Sequence, residues 1–272
     1  MKTRLFTLVA LFVLGTVTCF AAIKGNGKVI TKNIDVTDYK SLSLGGSIKN
    51  GSWFGSNDNE SPVCFYSQTT GSATLSITLD ENLFSYLDIK SGGNKLSVRV
   101  RNNTTIAPTK LVVKCSSSKL ENLQVSGCFD FKSETSLSGT TLNIGASGAS
   151  DVKIKHAVRV DNCSLSSSGA SDLELKDLKC SDIKVSSSGS SDVELKGSAD
   201  KGRFSTSGSS DIKAYDFKVG KLSCGSSGSS DIKVYVTESL EAGASGSSDI
   251  KYKGNPSVKR SVSGSADVDN VK

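Results

Sequence analysis

From residue 121 onward, apolar and polar positions alternate in short bursts, interrupted at a near-constant interval by the same five residues, Ser-Gly-x-Ser-Asp. The corner reads cleanly at 147–151, 168–172, 188–192, 207–211, 227–231 and 245–249. A copy at 263–267 lacks its last serine, and a degenerate forerunner at 126–130 precedes them all. The aspartates are spaced by 21, 21, 20, 19, 20, 18 and 18 residues. A period near 20 predicts a solenoid, in which each repeat is one unit that buries its apolar face only by stacking on its neighbours.

The flanks of the corner say which solenoid. After each Asp the first and third residues are apolar, as in Val152/Ile154, Leu173/Leu175, Ile212/Ala214 and Ile232/Val234. Period two marks a strand with one buried face. Two, four and six residues before each Gly lies a second inward set, such as Ala146, Ile144 and Leu142, or Ala244, Ala242 and Leu240. The glycine admits a positive φ, and Ser and Asp hydrogen-bond nearby backbone, which is the chemistry of a tight turn between strands. Each rung therefore reads strand, tight corner, strand, looser corner. The expected fold is all-β: a single-stranded parallel β-helix (solenoid) with about 20-residue rungs. Eight rungs at roughly 4.8 Å would make a rod on the order of 40 Å.

The N-terminal half keeps the alternation without the corner, at Ile34/Val36, Leu42/Leu44, Leu75/Ile77/Leu79, Leu96/Val98/Val100 and Leu111/Val113, with turns at Gly45-Gly46 and Gly92-Gly93. Less regular β coils, or a β cap, are expected there. Ahead of it, Lys2 and Arg4, an apolar run from Leu5 to Phe20 and small residues at Ala21-Ala22 read as a secretory signal peptide. The organisation expected is thus 1–22 signal peptide, 23–120 N-terminal β-strand region and 121–272 repeats, the last two forming one continuous domain. Cys19 would allow lipidation, although Thr18 fits the usual small-residue box poorly. The mature chain is expected to have no membrane span, and to be exported to the periplasm or cell surface of a Gram-negative bacterium.

Removing the signal lowers Lys+Arg from 33 to 31 against 27 Asp+Glu, a net +4 that is mild and dispersed. With export, that argues against a nucleic-acid partner. Six cysteines remain, Cys64, Cys115, Cys128, Cys163, Cys180 and Cys224; an even count invites disulfides. Cys163 and Cys224 nevertheless fall on inward positions, where a thiol acts as a small hydrophobe, so mostly buried free thiols are expected.

Gly25-Asn26-Gly27, the Ile34 to Leu44 strand pair ending in Gly45-Gly46-Ser47-Ile48, Asp80-Glu81-Asn82-Leu83 and the strands from Leu87 to Val100 stand ahead of the repeated corners. In this combination the chain resembles the putative auto-transporter adhesin, head GIN domain family of the Gram-negative envelope, over nearly the whole mature length. The resemblance implies an exported, strand-rich β-helical protein with an adhesive or surface role and no catalytic residues. The stretch from Asn50 to Pro62 departs from it as an insertion.

Stacking would place Asp151, Asp172, Asp192, Asp211, Asp231 and Asp249 in one column, where like charges repel unless offset. A calcium ladder would offset them with hard-oxygen ligation. The competing account gives each Asp backbone N–H donors at its own corner and a lysine two residues on, as at Lys153, Lys213, Lys233 and Lys251; no cofactor is then needed. Glu174 and Glu194 share an outward column and could act as acid and base in a β-helical carbohydrate-active enzyme, a polysaccharide lyase or hydrolase. Ordinary solvated charge explains the same pair. His156 is the only histidine, and no nucleophile-elbow sequence accompanies it. For binding, Tyr215 and Tyr235 are expected at one outward position on consecutive rungs, and Trp53-Phe54 sits in a polar loop. Aromatic faces beside polar groups suit sugars or peptides. A stiffening ladder would account for the tyrosines, and an end lid for Trp53. The function expected is a non-catalytic envelope or surface binding or structural module whose partner is an unknown surface glycan or envelope protein. At the C-terminus, Arg260 enters an otherwise apolar inward column, which predicts a partial cap from about 253 to 272.

Overall fold

The computed structural model describes residues 21–49 and 61–271; residues 1–20 of the expected signal peptide, Cys19 among them, lie outside the described residues. Parallel coils stack into a β-solenoid of about 7 turns with rungs of about 20 residues, as the repeat predicts.

Two long parallel ladders form its main faces. The ladder preceding the corner glycine joins Asn122–Gly127, Thr141–Gly148 and Asn162–Gly169 to the later halves of Leu173–Gly189, Asp192–Gly208, Asp211–Gly228 and Asp231–Gly246, and ends at Ser257–Gly264. Its register aligns Leu123, Ile144, Leu165, Val185, Phe204, Cys224, Ala242 and Arg260. The ladder following the corner aligns Cys64, Phe131, Val152, Leu173, Val193, Ile212, Ile232, Ile250 and Val268. All of these residues except Arg260 are buried, so like stacks on like and these inner columns are apolar. Bulk is balanced within a rung. Phe204, the largest member of its column, is accompanied by Gly202 at the next inward position, where Ile183 and Leu222 stand on the rungs either side. A Cβ at Gly202 would lie 2.9 Å from Leu222 Cδ1 and 3.4 Å from Ile183 Cγ2, so the neighbours already occupy that space.

Rungs differ in length, and the excess is taken up on the looser side. Register shifts fall between Leu175 and Leu178, between Glu194 and Lys196, and between Ala214 and Lys218, never at the glycine corner.

The N-terminal strands extend both ladders and then close them. Ser41–Gly45 and Lys95–Val100 continue the first ladder in parallel, and Leu87–Gly92 ends it antiparallel. Val63–Gln68 and Leu111–Ser117 continue the second, followed by the antiparallel strands Thr74–Asp80 and Val29–Asn33. The 3-10 turn Glu81–Tyr86 buries Leu83 against this end. Two motifs far apart in sequence meet here. The Asp80 carboxylate accepts N–H bonds from Gly27 at 2.9 Å and Thr109 at 2.7 Å. The Asn82 side chain accepts from the Asn26 N–H and donates to the Lys24 carbonyl. A Cβ at Gly25 would fall 2.3 Å from the Asp80 carboxyl carbon, which is why a glycine stands there. Burial pushes the Asp80 pKa up, but its backbone donors outweigh that and hold it below the ordinary 3.8.

All six described cysteines are free thiols. Cys163 and Cys224 are buried in inward columns, and burial pushes the Cys224 thiol up to about 12. Cys64 and Cys115 lie with their sulfurs 3.7 Å apart.

Candidate functional site

The corner itself is a structural device. From Gly148 to Gly264 the repeat glycines have φ between 78° and 85° at all but one position, Gly228 reaching 89°, and a Cβ would stand 2.7–2.8 Å from the carbonyl oxygen of the preceding corner glycine. No L-residue with a side chain meets both conditions. The N–H after each glycine donates to the glycine carbonyl one rung back, as from Ala170 to Gly148 and Ser190 to Gly169, each at 2.8 Å. The fourth corner residue points inward: Ser150, Ser171, Ser191, Ser210, Ser230 and Ser248 are all fully buried. Each of these hydroxyls donates to the carbonyl three residues back at 2.9–3.0 Å. A second internal hydroxyl, from Ser167, Ser187 or Ser226, donates to the carbonyl of that buried serine. Buried oxygens are thereby satisfied within the rung.

The aspartate column is offset in a related way, across rungs rather than within them. Oδ1 of Asp130, Asp172, Asp211 and Asp231 accepts the backbone N–H of Asp151, Asp192, Asp231 and Asp249 respectively, at 3.1–3.4 Å. Lys153 bonds Asp151 at 2.8 Å and Lys251 bonds Asp249 at 3.0 Å. Lys213 reaches back past its own rung to Asp192 at 2.5 Å. The partnering carboxylates raise the pKa of all three lysines. At the first step, burial and the neighbouring Asp151 charge raise Asp130 above 3.8. Among the described residues no group of three or more His, Cys, Asp or Glu side chains is placed to hold a metal ion.

Glu174 and Glu194 do lie side by side, but inside a chain of opposite charges. Lys176 contacts both, and Lys196 lies 3.7 Å from Glu194 and 3.2 Å from Asp216. His156 is exposed at the rim of a depression of about 590 Å³ lined also by Phe65, Lys132, Glu134, Lys153 and Glu174.

Tyr215 and Tyr235 are both half-buried on the face after the corner. They are not level, as a uniform period would make them. The rung beginning at Asp211 is two residues longer than the next and sheds its excess at this point, so Ala214 pairs with Val234 but Lys218 pairs with Tyr235. Each ring instead carries a lysine: Lys253 Nζ stands 4.8 Å from the centroid of Tyr215, and Lys218 Nζ 5.4 Å from that of Tyr235. Trp53 and Phe54 lie outside the described residues.

The face before the corner carries a feature that the sequence reading passed over. Two adjoining depressions of about 490 Å³ each run along it and share Lys201, Gly202 and Ser223. Between them they span rungs from Asn143 to Lys259. Lys184 is level with Arg203, and Lys201 with Lys221; all four side chains are exposed. The signal was present in the residues five and seven before each glycine, once the corners are aligned.

The architecture is that of an extended repeat protein. The family model described as putative auto-transporter adhesin, head GIN domain matches residues 64–256, and the chain belongs to that family. Among solved structures, a putative adhesin from Parabacteroides merdae is 28% identical with a TM-score of 0.83, covering 92% of this chain and 99% of that one. A putative lipid binding protein from Parabacteroides distasonis is 28% identical with a TM-score of 0.84, covering 93% and 100%. A putative adhesin from the same organism is 29% identical with a TM-score of 0.81, covering 92% and 100%. No curated protein matches the chain. The family and two of these three neighbours are described as putative adhesins, which points to an exported or surface module. No helix among the described residues is long and apolar enough to cross a membrane.

Proposed function

We propose that the protein is a non-catalytic binding head of the bacterial envelope, exposed in the periplasm or at the cell surface, that holds a glycan or envelope protein along the outside of its rod. One observation carries this reading. Strands Leu173–Gly189, Asp192–Gly208, Asp211–Gly228 and Asp231–Gly246 follow one another with two residues between each, so these rungs leave no chain to wall a catalytic cleft. The acid pair that an enzyme would need is tied to Lys176 and Lys196. What the rungs offer is open surface, with Tyr215 and Tyr235 among lysines on one face and Lys184, Lys201, Arg203 and Lys221 among small polar side chains on the other.

The test is a glycan array run beside capture of solubilised envelope proteins, together with a polysaccharide-release assay. Saturable binding without release of sugar is expected, and Tyr215→Ala with Tyr235→Ala should weaken it if the face after the corner takes part. Catalytic release that is lost in Glu174→Gln or Glu194→Gln would replace this reading with an enzymatic one.

A further inference from the structure

Along the face after the corner like charges also stand level, Glu174 with Glu194 and Lys213 with Lys233 and Lys251, but opposite charges bridge most of them: Glu174, Lys176, Glu194, Lys196 and Asp216 form a continuous series of ion pairs, and Lys213 and Lys251 bond Asp192 and Asp249. The face before the corner has like charges level without such bridges. Lys184 is directly opposite Arg203 on the adjacent strand, and Lys201 directly opposite Lys221. Paired strands stand roughly 4.8 Å apart, and like charges directly opposite each other are destabilising. Acids nearby do little to relieve this. Asp182 is level with Lys201 but forms no ion pair with it within 4.0 Å, Glu241 is bonded to Lys259 at 2.9 Å, and Lys221 has only the long 3.8 Å pair to Glu238. Among the described residues Lys184, Lys201 and Arg203 have no carboxylate partner.

The floor around the four cations is mixed, with Cys163, Ile183, Leu222, Leu240 and Val258 among its lining residues. Asn143, Asn162, Ser164 and Ser223 line the same two depressions, offering amides and hydroxyls at the level of the sheet. From Asn143 to Lys259 the trough crosses seven rungs, six steps that make roughly 29 Å at the spacing of paired strands. A hollow of this length takes a flexible chain rather than a planar surface. Of the large exposed apolar residues among those described, Val29, Val258 and Val262, only Val258 lines the trough, at one end, which is too little to anchor a bilayer against it.

We infer that this trough is a binding site for an acidic polysaccharide, a sugar chain bearing carboxylate or sulfate groups, whose anions separate Lys184 from Arg203 and Lys201 from Lys221 while its hydroxyls meet the asparagines and serines. The inference rests on the binding-head reading and names the ligand class for it. Bound anions turn two repulsive cross-strand pairs into bridged ones, and the contacts are charge-assisted. Affinity therefore falls as salt rises.

The experiment uses the whole mature chain with polygalacturonate and heparin as probes, dextran as the neutral polymer, and vesicles of phosphatidylglycerol and phosphatidylcholine. The parent should bind both polyanions and not dextran. Lys184→Glu with Arg203→Glu should weaken polyanion binding at least tenfold, and the milder Lys201→Gln with Lys221→Gln severalfold, each without a lower melting temperature. Lys233→Glu, on the other face, should leave affinity as it was. Failure of both polyanions to bind, equal binding of dextran, equal loss in Lys233→Glu, or capture of the vesicles in place of the polymers would each overturn the assignment. If the polyanions fail but an array finds a neutral glycan or a protein that depends on Tyr215 and Tyr235, the binding head stands and this trough is not its site. If nothing binds and sugar is released instead, the binding-head reading itself falls.

Discussion

The two ends of the rod are finished by different means. At the N-terminal end the parallel ladders stop at antiparallel strands, and the last of these is clasped through Asp80 to backbone around Gly27 and Thr109. At the C-terminal end the ladders simply stop. Every residue of Ser257–Gly264 is exposed, with Val258 and Val262 left 39% and 44% open where interior columns run out. The one adjustment is Arg260, which stands in the apolar column but is exposed and donates to the Val268 carbonyl at 3.2 Å. A closed end needs contacts between residues distant in sequence, used once each; the repeats between the ends need only copies of one local geometry. Each end therefore has its own weak point, and the middle has a third.

The largest effect is expected in the middle. Ile232→Asp places an unpaired charge in a dry column and should cost several kcal/mol, enough to unfold the central rungs in thermal melting. Lys213→Ala, on the outer side of the neighbouring rung, should stay within about 0.5 kcal/mol of the parent. Similar melting curves for the two would mean that the inward and outward columns are misassigned. Next, Gly228→Ala should cost about 1–3 kcal/mol for forcing a side chain into positive φ, and somewhat more for the close approach to the Gly208 carbonyl. An alanine there that melts with the parent would contradict the corner geometry.

At the closed end, Asp80→Asn swaps one of two acceptor oxygens for a donor that faces an N–H. A loss of about 1–3 kcal/mol is expected, read by chemical denaturation and by faster amide exchange at Gly27 and Thr109. The sign with pH follows from the lowered pKa of Asp80. A depressed carboxylate stabilises the fold above its unfolded pKa, and that contribution disappears as pH falls through 3.8 and below. The N-terminal strands should thus loosen in acid, and Asp80→Asn should flatten this dependence; an unchanged acid limb would show that the clasp is not its source.

The smallest effect on stability, though a visible one on assembly, is expected at the open end. Arg260→Val completes the apolar column and removes the charge that blunts the exposed edge. The melting temperature should hardly move, while the apparent mass in light scattering should rise with concentration. A monodisperse variant would place the guard against end-to-end pairing elsewhere. Chelation with EDTA should shift the melting temperature by no more than about a degree if backbone N–H groups and lysines are what offset the corner aspartates; a large shift reversed by calcium would make that column a ligand ladder.

How much of this was legible varies with distance along the chain. The serine-glycine corners, the inward columns from Leu123 to Ala242 and the odd polar entry of Arg260 are visible as soon as the copies are aligned, because a parallel solenoid stacks residues about 20 apart and the alignment is the register. The six inward-facing corner serines are equally predictable, since their hydrogen-bond partner lies three residues back in the same turn. Partners chosen across rungs of unequal length were not predictable. Register slips on the looser side move Tyr215 away from Tyr235, and side-chain reach rather than sequence spacing takes Lys213 to Asp192 instead of its own Asp211. The clasp of Asp80 on Gly27 spans 53 residues and has no periodic signal. The unrelieved cations at Lys184, Lys201, Arg203 and Lys221 emerge only when register, exposure and the positions of nearby acids are known together. Sequence alone determined the rung, its corner and its dry columns, because those follow from backbone conformation and burial repeated at short range. The tertiary structure decided which charges meet, how each end is closed and where the outer surface is left open to a partner, because those depend on where each rung takes up its spare residues.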